Sequence, residues 1–138
     1  MNIKSSKLVH IAATSLSGTR CLDFLLDDPN NVNELCNSKL EGTPLHFACM
    51  SNNLLAVKNI LRKGGNVNSI DHLGNTPLIY ATEVKNLEIL RILDEYGASG
   101  DMKNYEGLNA YYIGVNSDNK DIKFFYLGNP KYRSNHLI

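Results

Sequence analysis

The hexapeptide Thr43-Pro44-Leu45-His46-Phe47-Ala48 returns 33 residues later as Thr76-Pro77-Leu78-Ile79-Tyr80-Ala81, and after the same stride again as the worn Asn109-Ala110-Tyr111-Tyr112-Ile113-Gly114. Self-similarity at a fixed period of this size constrains the fold strongly, because it calls for one supersecondary unit copied and stacked. Each position has a physical task. Thr43 and Thr76 suit an N-cap, where a hydroxyl accepts from an orphan N–H of the first turn. Pro44 and Pro77 follow at the first helical position, where a missing N–H costs nothing. Leu45 and Leu78 open an apolar face, while Ala48 and Ala81 are small enough to admit a neighbouring helix.

A second helix is predicted after each motif. Asn52-Asn53 breaks the first, and Leu54, Val57, Ile60 and Leu61 then recur at helical spacing. Lys58, Arg62 and Lys63 lie toward the end that favours cations. Gly64-Gly65 supplies a residue for positive φ past the last turn. Leu87, Leu90 and Leu93 repeat the stripe, and Gly97 closes it. Between the units, 67–74 is polar, starts on the β-branched Val67 and ends on Gly74, the pattern of an extended turn or hairpin finger.

These residues carry a resemblance. Thr-Pro-Leu-His-x-Ala, with Gly-x-x-Val-Asn and Asp-x-x-Gly between copies, resembles the ankyrin repeat, closely in the middle of the chain and loosely at its ends. It implies an all-α, ankyrin-repeat solenoid of about four helix-turn-helix repeats with hairpin-like fingers and degenerate terminal repeats. A single domain over 1–138 is expected, with repeats near 5–42, 43–75, 76–108 and 109–130 and a loose tail at 131–138. In the first repeat, helices are expected at 5–16 and 19–27, followed by an enlarged finger that includes Cys36. In the last, the second helix is expected at about 120–127, ended by Gly128-Asn129-Pro130. Tyr111, Tyr112, Phe124, Phe125 and Tyr126 are expected in its core, or alternatively as a docking surface for further repeats or a further domain.

Charge narrows the partner classes. With 14 basic and 14 acidic residues the net charge is +0, so nothing electrostatic favours nucleic acid or an anionic membrane. No apolar run approaches the ~18 residues of a membrane span, and Met1-Asn2-Ile3-Lys4 does not open a secretory signal. Cys21, Cys36 and Cys49 are odd in number, with no Cys-x-x-Cys, which suits a reducing compartment. A cytoplasmic or nuclear setting is expected, or a host cytosol for a bacterial effector.

No catalytic constellation stands out, and no enzyme activity, cofactor or metal is expected. His10 and His46 occupy the motif's histidine slot, where the resemblance implies a structural hydrogen bond to backbone or to the capping threonine. His72 sits at a finger tip beside Asp71, as a solvated turn residue or as a partner contact. Asp27-Asp28 and Asp94-Glu95 are helical neighbours pointing in different directions, which suits a solvated face rather than an acid/base pair. Cys49 reads as core, and Cys36 is the thiol placed for exposure. Asn33 and Asn68 match the family's finger asparagine, expected to bond neighbouring backbone and steady the turn. In the family that this chain resembles, the same residue can also be a hydroxylation target, a role secondary here to the structural one.

The function expected is a non-catalytic protein–protein interaction module, an adaptor, inhibitor or effector, monomeric alone. Its partner, another protein, would bind the concave finger and helix face. Candidate contacts are Lys39, Leu40 and Glu41 on the first finger, Met50, then Ile70, His72, Leu73 and Asn75 on the second. Glu83 and Val84 follow, then Lys103, Tyr105, Glu106 and Leu108 on the third. Leu40, Leu73 and Leu108 recur at finger ends, either for a partner or to pack on a neighbouring finger. Tyr105 adds the large amphipathic ring enriched at binding hot spots. The alternative is a targeting segment of a larger enzyme whose catalytic domain lies outside this chain.

Overall fold

The computed structural model describes Asn33 and residues 42–133. Seven helices follow in order: α1 Pro44–Met50, α2 Leu54–Arg62, α3 Pro77–Glu83, α4 Leu87–Glu95, α5 Ala110–Val115, α6 Lys120–Gly128 and α7 Pro130–Arg133. There is no strand among the described residues, so the fingers are turns rather than paired strands. The helices expected at 5–16 and 19–27, and the enlarged finger with Cys36, lie outside the described residues.

The stride is written in the caps. Thr43, Thr76 and Asn109 cap the first helix of each unit, and Asn53, Asn86 and Asn119 cap the second. Asn109 Oδ1 accepts from the Tyr112 N–H at 2.7 Å, as Thr76 Oγ1 accepts from the Ile79 N–H at 3.3 Å. The worn motif has therefore changed residue at its cap and kept the chemistry. Asn52 and Lys85 take positive φ of 58° and 61° at the turn between paired helices. Helices of six to nine residues do not persist alone in water, so stacking holds them.

First helices stack on first helices, α1 on α3 on α5, and second on second, α2 on α4 on α6. Leu45, Ala48, Ile60, Leu78, Ile79, Ala81, Ile89, Leu90 and Leu93 are buried in one continuous core. Each fully buried leucine stabilises the fold by about 1.5–3 kcal/mol. His46 ties α1 to the segment that leads into α3. Its Nδ1 accepts from the Thr43 N–H at 3.0 Å, which puts the proton of the neutral ring on Nε2. Nε2 then donates to the Asn75 carbonyl at 2.9 Å. The expected bonds to cap and backbone are both made.

The C-terminal unit departs in part from the core expectation. Tyr126 is buried, but Tyr112 and Phe124 are 56% and 70% exposed, and Tyr111 and Phe125 are half-buried. Tyr112 stands one stride on from Ile79, which is fully buried in the unit before. Phe124 stands one stride on from Arg91 and two from Lys58, on the solvent side of the second helix. The tail is not loose where it is described. Lys131 and Tyr132 belong to α7, and Tyr132 is buried. Tyr132 Oη donates to Asp94 Oδ1 at 2.8 Å, and Lys131 Nζ reaches the same oxygen at 2.9 Å and the Ala98 carbonyl at 2.8 Å. Asp94, expected on a solvated face, is the hub of this latch.

Candidate partner-binding face

The two described fingers are braced from beneath by one device. In the finger at 66–75, Asp71 Oδ1 accepts from the N–H groups of Leu73 at 2.9 Å and Asn75 at 3.0 Å. Its Oδ2 accepts from the Tyr80 hydroxyl. In the finger at 99–108, Asn104 takes the place of Asp71, and its Oδ1 accepts from Glu106 N and Leu108 N, each at 3.0 Å. An amide oxygen accepts as a carboxylate does, and the amide nitrogen adds a bond to Asn75 Oδ1 at 2.8 Å. The Tyr105 N–H donates to the Leu73 carbonyl at 3.1 Å, joining the tips. Gly74 makes this approach possible: its φ is +77°, and a Cβ there would lie 2.9 Å from the Tyr105 ring.

Farther from the tips, Asn33 and Asn68 hold the fingers at their base. Asn68 Oδ1 accepts from Ser99 N at 2.8 Å, and its amide donates to the Gly97 carbonyl at 3.3 Å. Asn33 bonds Asn66 N and the Gly64 carbonyl in the same way. These asparagines thus tie each finger to the backbone of the following unit, rather than steadying their own turn.

On this brace the tips present apolar surface. Tyr105 is 74% exposed, Leu73 47% and Ile70 43%, and Val84, at the end of α3, is 36% exposed. His72, Glu83, Lys103 and Glu106 are also exposed, and Met50 and Leu108 are half-buried. Asn75 leaves the candidate set. It is 8% exposed, with its amide donating to the Tyr80 hydroxyl at 3.2 Å and accepting from Asn104. Leu108 occupies the slot of Asn75, one stride on, and Glu106 occupies that of Leu73, so leucine does not recur at the third tip. Lys39, Leu40 and Glu41 lie outside the described residues.

The titratable groups here are structural or open to solvent. Burial, then the hydrogen bond to Asp71, pushes the Tyr80 hydroxyl up to about 12. Glu83 is raised by burial first and by the charge of Glu106 second. Burial pushes the Cys49 thiol up, which leaves little of the thiolate that nucleophilic chemistry needs. Among the described residues no group of three His, Cys, Asp or Glu is placed to hold a metal ion, and no helix is long and apolar enough to cross a membrane. Asn104 and Tyr80 were not legible as finger braces from their own neighbourhoods. The signal was the position of Asn104 one stride beyond Asp71.

The family model described as ankyrin repeats, three copies, matches residues 9–122. Ankyrin repeat and SOCS box protein 11 of Homo sapiens is 33% identical over 112 residues, covering 78% of this chain and 34% of that protein. A putative ankyrin repeat protein of fowlpox virus is 49% identical over 51 residues, covering 37% of this chain and 26% of its own length. The nuclear factor NF-kappa-B p105 subunit of Gallus gallus is 32% identical over 93 residues, covering 64% of this chain and 10% of its own. The chain thus spans about a third or less of the length of these relatives. Ankyrin repeats are generally non-catalytic protein–protein interaction modules. The stride, the caps, the stacked helix pairs and the matched model lead to one assignment: this chain belongs to the ankyrin repeat family.

Proposed function

We propose that this chain is a non-catalytic protein-binding module, an adaptor, inhibitor or effector. Its partner binds on the face made by the fingers at 66–75 and 99–108 and the ends of α1 and α3. The observation that carries the reading is the exposure of Tyr105, Leu73 and Ile70 on tips whose backbone is fixed from beneath. Large apolar side chains on a pre-ordered frame lose little conformational freedom on binding, which favours affinity. The contacts assigned are Ile70, His72, Leu73, Glu83, Val84, Lys103, Tyr105 and Glu106, with Met50 and Leu108 at the margins. The module acts as a monomer in a reducing compartment, cytoplasm or nucleus, or a host cytosol if secreted by a bacterium. A second reading is a targeting segment within a larger enzyme whose catalytic domain lies outside this chain.

The test is affinity capture with the wild type and with Leu73→Asp/Tyr105→Ala, both checked for equal melting. A protein retained by the wild type and lost on the variant is the expected result. Equal retention would move the binding face elsewhere on the molecule.

A further inference from the structure

The fixed stride sets like positions of neighbouring units side by side, and the finger face changes character across that step. The exposed residues Ile70 and Leu73, with half-buried Met50, make its first half apolar. One stride on, Glu83 stands in the slot of Met50, Glu106 in that of Leu73 and Tyr105 in that of His72. Among the described residues neither Glu83 nor Glu106 makes an ion pair, and the sequence-near Lys85 is committed to Asp118 at 2.5 Å. Burial first, and the charge of Glu106 second, raise Glu83, so a cation brought to this end of the face favours its charged form.

We propose that the finger face takes a partner segment pairing a basic side chain with an apolar one: arginine or lysine at Glu83 and Glu106, and the apolar residue on Ile70 and Leu73. This rests on the finger face being the binding face. A cation brought to either exposed carboxylate gains an unpaired counter-charge, whereas an acidic partner residue is repelled. The exposed ring of Tyr105, seated over Gly74, offers a π-face beside them for the same cation. Lys103, on the same finger, makes no ion pair with either carboxylate among the described residues. Stacked helices lie about 8–10 Å apart, and an extended chain advances about 3.3 Å per residue. The basic and apolar residues of the partner are therefore about three positions apart.

Random-peptide display panned on the full chain tests this. Peptides retained by the wild type are expected to carry arginine or lysine about three positions from an apolar residue. On Glu83→Gln/Glu106→Gln the basic preference disappears and the apolar one stays. A labelled selected peptide then loses about tenfold in affinity. An acidic or uncharged consensus, or a basic one that survives Glu83→Gln/Glu106→Gln, overturns the cation assignment and leaves the face intact. Failure of the wild type to retain any peptide, or binding unaffected by Leu73→Asp/Tyr105→Ala, overturns the face itself.

Discussion

The unit at 76–108 and the unit at 109–133 share a stride and a capping scheme, yet close their cores differently. In the first, Leu93 and Ala81 pack beneath neighbours on both sides. In the second, the same slots hold Tyr126 and Gly114, and a Cβ on Gly114 would overlap the Tyr126 ring. The larger side chain and the missing methyl are one adaptation. The Tyr126 hydroxyl lies 2.6 Å from Thr82 Oγ1, pinning the last unit back on the one before it. Then α7 folds over the end. Tyr132 fills the space where a side chain on Gly100 would sit, and its hydroxyl bonds Asp94. An interior unit is sealed by its neighbours; this last one seals itself with aromatic rings and a latch.

Replacing the same slot in both units gives the sharpest contrast. Leu90→Asp puts an unpaired charge into a fully buried site and is expected to cost more than about 4 kcal/mol. Helical circular dichroism and cooperative denaturation should both be lost. Lys123 stands one stride on and is already exposed, so Lys123→Asp is expected to change stability by less than about 0.5 kcal/mol. Comparable losses in both variants would break the register.

Next in size is Tyr132→Ala, at about 3 kcal/mol. Hydrogen exchange should quicken across 109–133 while α1 to α4 keep their protection. Uniform loss along the chain would show that the latch is not local to the last unit. Gly114→Ala is expected to cost about 1–3 kcal/mol by overpacking, and Tyr126→Leu in the same chain should restore part of it. Failure of that rescue would separate the two substitutions that the packing joins. Tyr105→Ala is the smallest effect on folding, within about 0.5 kcal/mol, while a bound partner loses more than about 1 kcal/mol.

Much of the frame was legible in the residues. The stride, the paired helices, the caps at Thr43 and Thr76 and the buried role of His46 each depend on a short run of sequence. The binding face was legible in part. Ile70, Leu73 and Tyr105 are exposed as their tip positions imply. Asn75 reads locally as one more polar tip residue, but Tyr80 and Asn104 approach it from other segments and bury it. The aromatic cluster was legible as a cluster, not as a division into buried Tyr126 and exposed Phe124.

By itself the sequence determined the unit and its period, because caps, helix stripes and turns are settled within a few residues of chain. Tertiary structure decided which groups do their work between units. Asp94 becomes the anchor of α7 only when Tyr132, 38 residues away, is folded against it. Asn68 ties its finger forward only because Gly97 and Ser99 arrive beside it. Such roles depend on partners about one stride distant, and burial is set by what stacks on a surface rather than by the residues that compose it.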